Sequence, residues 1–198
     1  SSFEENYTPV VVPADNKRGE KIEYVYYGPW YVWDVSEAEF KRKKILIAAL
    51  EIVSLLIFIA AASIYDPLNM LHVAFAFTAA AECFHIMELA ALVDFLTAKI
   101  RTNKLKYQNV SRGFEFFTML RAMLFAAATF TGILYVIFGN FTLEACIISL
   151  SYALCGGMAW YTKKTYKEME FYTEENDILK KLGIVPDNKD NNKGKDKK

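Results

Sequence analysis

Apolar residues gather in four long runs along the chain, near 45–65, 71–97, 114–138 and 142–161, and charged residues crowd between them. About 20 consecutive apolar residues carry a helix across a bilayer, and each run is about that long. The pattern predicts an all-α fold, a four-helix transmembrane bundle. Ser36-Glu37-Ala38-Glu39 is a capping-box start, in which Ser36 accepts from the amide of Glu39. A helix is expected to run from there into the first span. Asp66-Pro67 ends that span, because a proline disfavours helix in the residue before it. Gly139-Asn140 breaks the third run. The outer turns at 66–70 and 139–141 are too short to hold a domain of their own.

The flanks read differently. Residues 1–40 form an aromatic-rich lead-in. Within it, EYVYYGPWYVWDV (23–35) holds Tyr24, Tyr26, Tyr27, Trp30, Tyr31 and Trp33, interrupted by Gly28-Pro29. Trp and Tyr favour the level of the headgroups, so this stretch is expected at the membrane surface, against the helix ends or as a short hairpin packed on the bundle. The bundle itself is placed at 41–165. Residues 166–198 are read as a cytoplasmic extension of the last helix through Thr165–Glu175, with Tyr166, Met169 and Phe171 at helical spacing. A short turn with Ile178, Leu179 and Leu182 is expected to dock back. The tail from Pro186 has no apolar residue to bury and is expected to be disordered.

Composition refines this picture in three ways. Hydrophobic residues make up 54% of the 198, enough for four greasy spans with polar ends, and the formal net charge is zero, so bulk charge selects no acidic partner. The distribution of cations is informative. Lys41–Lys44, then Lys99, Arg101, Lys104, Lys106 and Arg112, then Lys163, Lys164 and Lys167 all fall on one side, and the outer turns have no Lys or Arg. Basic loops stay inside, so both termini are expected on the cytoplasmic or matrix side of a cell membrane or organelle inner membrane. The first apolar run begins only near Ile45, so no secretory leader is expected. The three cysteines, Cys83, Cys146 and Cys155, sit inside apolar runs without a CxxC pair. They read as small buried packing residues rather than a disulfide framework.

Ionisable residues inside the spans supply the candidate chemistry. Groups of this kind are costly in lipid and turn toward the bundle interior or a water-filled cavity. Residues three, four and seven apart share a helical face. That spacing gives stripes of Glu51 and Ser54; of Thr78, Glu82 and His85, with Glu88 turned slightly aside; of Glu115, Thr118, Arg121 and Thr129; and of Glu144, Ser151 and Cys155. At about 1.5 Å per residue in a core of about 30 Å, Glu51 and His85 lie roughly 9 Å from the basic side, Arg121 roughly 10 Å and Glu88 roughly 5 Å. Glu82 is nearer the midplane. An intramembrane polar cluster of Glu51, Glu82, His85, Glu88 and Arg121 is therefore expected, with Arg121 against Glu51 or Glu88.

Three roles compete for such a cluster. It can fix helix pairing at some expense in stability. It can relay protons or cations. It can hold a metal, since Glu82-x-x-His85 has the spacing of di-iron bundles, but the second Glu-x-x-His those sites need is missing. Glu82 and His85 are thus half a metal motif, and no metal or cofactor is assigned. His72 reads as an interfacial residue. There is no GxSxG, P-loop, HExxH or strand-borne GxGxxG, and no nucleic-acid module. Small residues four apart, Ala76/Ala80, Ala122/Ala126 and Ala128/Gly132, together with Gly156-Gly157, offer seams for helix association. The expectation is a non-enzymatic multi-pass subunit or scaffold of a larger membrane assembly. Its partners would be the lipid bilayer and other membrane subunits or copies of itself. The alternative is a small proton- or cation-coupled transporter or channel using the Glu/His cluster.

Overall fold

The computed structural model describes residues 6–13, 20–139 and 141–178. The tail from Pro186, the turn through Leu179 and Leu182, and Asn140 lie outside the described residues. Among those residues, four helices are long and apolar enough to cross a membrane. The chain begins with an antiparallel ribbon of β1 (Tyr7–Pro13) and β2 (Glu20–Tyr26), followed by β3 (Trp30–Trp33). The first long helix, α1 (Glu37–Ala62), starts where the serine cap places it: Glu39 N–H donates to Ser36 Oγ at 3.2 Å. A single turn, α2 (Pro67–Met70), has Pro67 at its start, where a missing N–H costs nothing, and Asp66 Oδ1 accepts from Leu68 N–H. The second long helix is α3 (His72–Thr97).

The third span is longer than its apolar run. After β4 (Arg101–Thr102), α4 (Lys104–Ser111) passes through a π-helical turn at Arg112–Phe117 into α5 (Thr118–Phe138). The wider turn shows in Thr118, whose hydroxyl donates five residues back to the Gly113 carbonyl at 2.9 Å. At Gly113 a Cβ would stand 2.2 Å from that of Ala91, so glycine is what lets this turn lie against α3. The last helix, α6 (Leu143–Lys167), is capped by Thr142, and β5 (Phe171–Glu174) follows.

The four long helices run alternately up and down. α5 packs against both α3 and α6, and α6 against α1, whereas α1 and α3 approach each other less closely. The closest seam is small. Ala128 and Gly132 are both buried, and a Cβ on Gly132 would lie 2.2 Å from Ser149 Oγ. Ala76 is exposed, whereas the backbone of Ala122 and Ala126 lies against α6 at Gly156, where an added Cβ would stand 3.5 Å from the Ala122 carbonyl and 3.8 Å from Ala126 N. Large apolar side chains such as Leu56, Phe75, Ile86, Val93, Phe130 and Leu150 point outward. The exterior is therefore apolar around the bundle, which fits a membrane location.

The flanks correct the purely helical expectation. β3 is the centre of a three-stranded antiparallel sheet, between β4 and β5. The predicted helical extension through Thr165–Glu175 stops at Lys167. Phe171-Tyr172-Thr173 is aromatic and β-branched, suits a strand, and covers the edge of β3 that would otherwise be open. Trp33 is 2% exposed and lies against the helix ends, one of the placements expected for this stretch, where it packs with Phe40, Phe95, Phe114, Tyr107 and Tyr166 into an aromatic core over one end of the bundle. Helix ends that are far apart in sequence are joined here. Lys43 pairs with Glu168, and Lys44 donates to the free carbonyls of Leu96 and Ala98 at the end of α3. At the opposite end, Thr142 donates to Asp66 at 2.8 Å and Tyr152 to Asn69 at 2.7 Å, tying the two outer turns together.

Candidate functional site: an enclosed ionic centre

Three helices bring Glu51, His85, Glu88 and Arg121 together, and none of the four has measurable exposure. On α1, Glu51 lies one turn from Ser54 on the single face that meets the bundle. On α3, His85 and Glu88 are one turn apart on the buried face. On α5, Arg121 follows Thr118 and precedes Phe125 on the inward stripe. Arg121 Nη2 donates to Glu51 Oε1 at 2.9 Å and stands 3.0 Å from Glu88 Oε2. The guanidinium thus meets both of its candidate partners. The other Glu51 oxygen is 3.1 Å from His85 Nε2, and His85 Nδ1 is 3.2 Å from Glu82 Oε2. Buried Thr162 and Cys155 of α6 complete the wall, and the Cys155 thiol donates to the Ser54 carbonyl at 3.4 Å.

The order of the α3 acids reverses the expectation from the helical wheel. Glu88 is central and fully enclosed. Glu82 sits at the edge, its side chain 16% exposed. Counting at 3.6 residues per turn from His85 puts Glu82 and Glu88 at mirror positions, about 60° to either side. Packing alone decides between them: Glu88 meets Arg121 of α5, whereas Glu82 meets His85 of its own helix and stays at the edge.

Other striped residues stay out of the centre. Glu115 is exposed, since three-residue steps drift by about 60° each and two steps take it about 120° away from Arg121. Glu144 is exposed in the first turn of α6, where its charge complements the helix start. Thr129 and Ser151 return their hydroxyls to carbonyls of their own helices. Cys83 is exposed on the apolar exterior, correcting its reading as a buried packing residue; Cys146 is half-buried and Cys155 is buried. Sequence reasoning missed Ser149, Tyr152 and Thr162, which the α6 face buries. Their signal was the run of small and polar positions three and four apart with Ala145, Ile148, Cys155 and Ala159.

Chemically the centre is acid-rich. Both imidazole nitrogens face carboxylates, an arrangement in which the imidazolium would supply two donors. Three carboxyl groups, those of Glu51, Glu82 and Glu88, face two basic side chains, Arg121 and His85. Arg121 Nε and Nη1, Glu88 Oε1 and Glu82 Oε1 are buried without hydrogen-bond partners. Among the described residues no group of three or more His, Cys, Asp or Glu is arranged to hold a metal ion. Comparison with known protein families, curated proteins and solved structures finds no match for this chain.

Proposed function

We propose that the protein is a non-enzymatic integral membrane subunit or scaffold, anchored by its four-helix bundle, with both termini and the sheet module on the cytoplasmic or matrix side. The observation that carries this reading is the exposed apolar face of the β1–β2 ribbon. Val11 and Ile22 stand opposite each other in register and are 60% and 61% exposed; Tyr24, two pairs along and so on the same face, is 61% exposed. A contiguous apolar face held clear of the bundle is what a docking partner covers. The ionic centre supports the anchoring role. Its four inner groups are fully enclosed and linked in series, His85 to Glu51 to Arg121 to Glu88, which fits a clamp on helix arrangement. The test is co-purification from native membranes in mild detergent, comparing the unaltered chain with the double variant Val11→Lys/Ile22→Lys. Loss of one stoichiometric partner from the variant, with thermal stability unchanged, supports the reading. An unaltered chain that purifies alone refutes it.

One observation favours a second reading, a proton- or cation-coupled transporter. Glu82 is the edge member of a cluster that sets three carboxyl groups against two basic side chains, and its side chain is the one member of the five that is partly exposed. A proton or small cation held there would offset the surplus carboxyl group. Cation flux into liposomes containing the purified chain, lost in Glu82→Gln, would replace the first reading with this one.

A further inference from the structure

The outer face of the α5–α6 pair carries two open apolar cavities, of about 540 and 330 Å³, that share Thr129, Ile133 and Ala153. They form one continuous groove. Ala122, Ala126, Ala153 and Gly157 floor its larger part, and Met123 and Trp160 flank it. The two adjacent glycines of α6 divide the work. A Cβ on Gly156 would press on Phe125 at 3.2 Å, whereas one on Gly157 would meet nothing within 4 Å, because Gly157 faces the open groove. The groove ends at Lys163, beside Trp160, and that end is surrounded by Lys164 and Lys167. Among the described residues, neither Lys163 nor Lys167 has an ion-pair partner, and Glu168, the nearby acid, is engaged by Lys43.

We infer that this groove seats one acyl chain of an anionic phospholipid from the leaflet on the basic side, with Lys163 and Lys167 holding its phosphate. The inference rests on the membrane reading above. Three features select this occupant. Along α6, the larger part of the groove, the one that ends at the lysines, runs from Ala153 to Lys163 and spans about 15 Å, half of a hydrocarbon core of about 30 Å, which is the reach of a chain from one leaflet. Trp160 lies where the apolar groove gives way to cations, the level at which Trp borders headgroups. The free lysines complement a phosphate, whereas the end of a second transmembrane helix on this side would bring its own cations and be repelled. Met119 and Met123 supply a flexible wall suited to a chain without fixed shape.

The test uses the full chain purified in neutral detergent. Native mass spectrometry follows titration with phosphatidylglycerol and, separately, phosphatidylcholine of identical acyl chains. Each lysine at an anionic headgroup strengthens binding by about fivefold, so a preference of at least that size for one phosphatidylglycerol is expected. Lys163→Gln/Lys167→Gln should abolish the preference and leave equal weak binding of both lipids. Gly157→Leu fills open space, so it should keep its melting temperature and lose both lipids. Equal affinity for the two lipids in the unaltered chain overturns the inference. So does undiminished binding by Gly157→Leu, or a lipid-free dimer cross-linked through the groove. Failure of the membrane reading looks different: the chain would stay monodisperse and folded in buffer without detergent.

Discussion

Arg121→Met is the sharpest perturbation of the ionic centre. The substitution keeps an unbranched chain of similar length and removes the guanidinium that lies 2.9 Å from Glu51 and 3.0 Å from Glu88. All three side chains are fully enclosed, so water cannot replace the lost charge. Breaking a buried pair by deleting one partner costs about 3–5 kcal/mol, most of it from the stranded charge. For a chain of this size each kcal/mol moves the melting temperature by about 2–4 °C, giving a fall of about 6–20 °C. The assay is thermal unfolding in mild detergent at fixed scan rate, followed by far-ultraviolet circular dichroism. Two companions make the result diagnostic. Arg121→Met/Glu51→Gln/Glu88→Gln leaves no stranded carboxylate at the guanidinium and should regain at least half of the loss. Glu82→Gln alters an edge contact and should cost no more than about 1 kcal/mol. If Arg121→Met melts with Glu82→Gln, or the triple variant is no better than the single, the centre does not hold the bundle in the way argued.

Three further outcomes follow from other contacts. Gly132→Ala should destabilise by about 1–3 kcal/mol in the same melt, since its new methyl group would overlap Ser149; Ser149→Gly in the same chain should restore it, and Gly157→Ala should cost nothing. Tyr152→Phe removes the hydroxyl that donates to Asn69 and should cost about 0.5–1.5 kcal/mol, seen as faster amide exchange in α2. Tyr26 donates to the Pro29 carbonyl at 2.6 Å and accepts from Lys104 N–H at 3.1 Å, and burial holds its phenol above the ordinary 10. The folded state thus keeps that proton more tightly than the unfolded one, so ribbon docking is intact below pH 10 and weakens as pH rises through the raised value. Proteolysis of the ribbon against pH should show this alkaline step, and Tyr26→Phe should lack it.

The bundle was legible because its signals are local. Four apolar runs, Ser36, Asp66-Pro67 and Thr142 mark where helices start and stop within a few residues of each mark. The sheet was not legible, because its pairings join β3 to strands about 70 and 140 residues away in sequence. Tyr166 and Met169 are three apart, yet only Tyr166 lies in α6; Met169 follows its end into the aromatic core and Phe171 lies on a strand. Tertiary pairing overrode the local period. Within the centre, sequence spacing nominated residues on α1, α3 and α5 that the fold brings together, but it ranked Glu82 above Glu88 with no physical ground, since the two are equivalent about His85 on an isolated helix.

The two kinds of helix seam explain why both small and charged residues are needed. Where α5 meets α6, Gly132 and Ser149 let the backbones close, and dispersion between tightly packed atoms is the cohesive force. Where α1 meets α3, the helices approach each other less closely. Glu51 and His85 bridge that space, and Arg121 ties the bridge to α5. Apolar side chains could fill the same volume, but in lipid they would fit α1 against any greasy neighbour equally well. Charges cannot be left facing hydrocarbon, so they penalise every arrangement except the one that pairs them. On the membrane reading proposed above, the ionic centre selects which helices meet and the small-residue seam sets how closely they pack. For that reason a volume change at Gly132 and a charge change at Arg121 should be independent in their effects, and their combined destabilisation should equal the sum of the two.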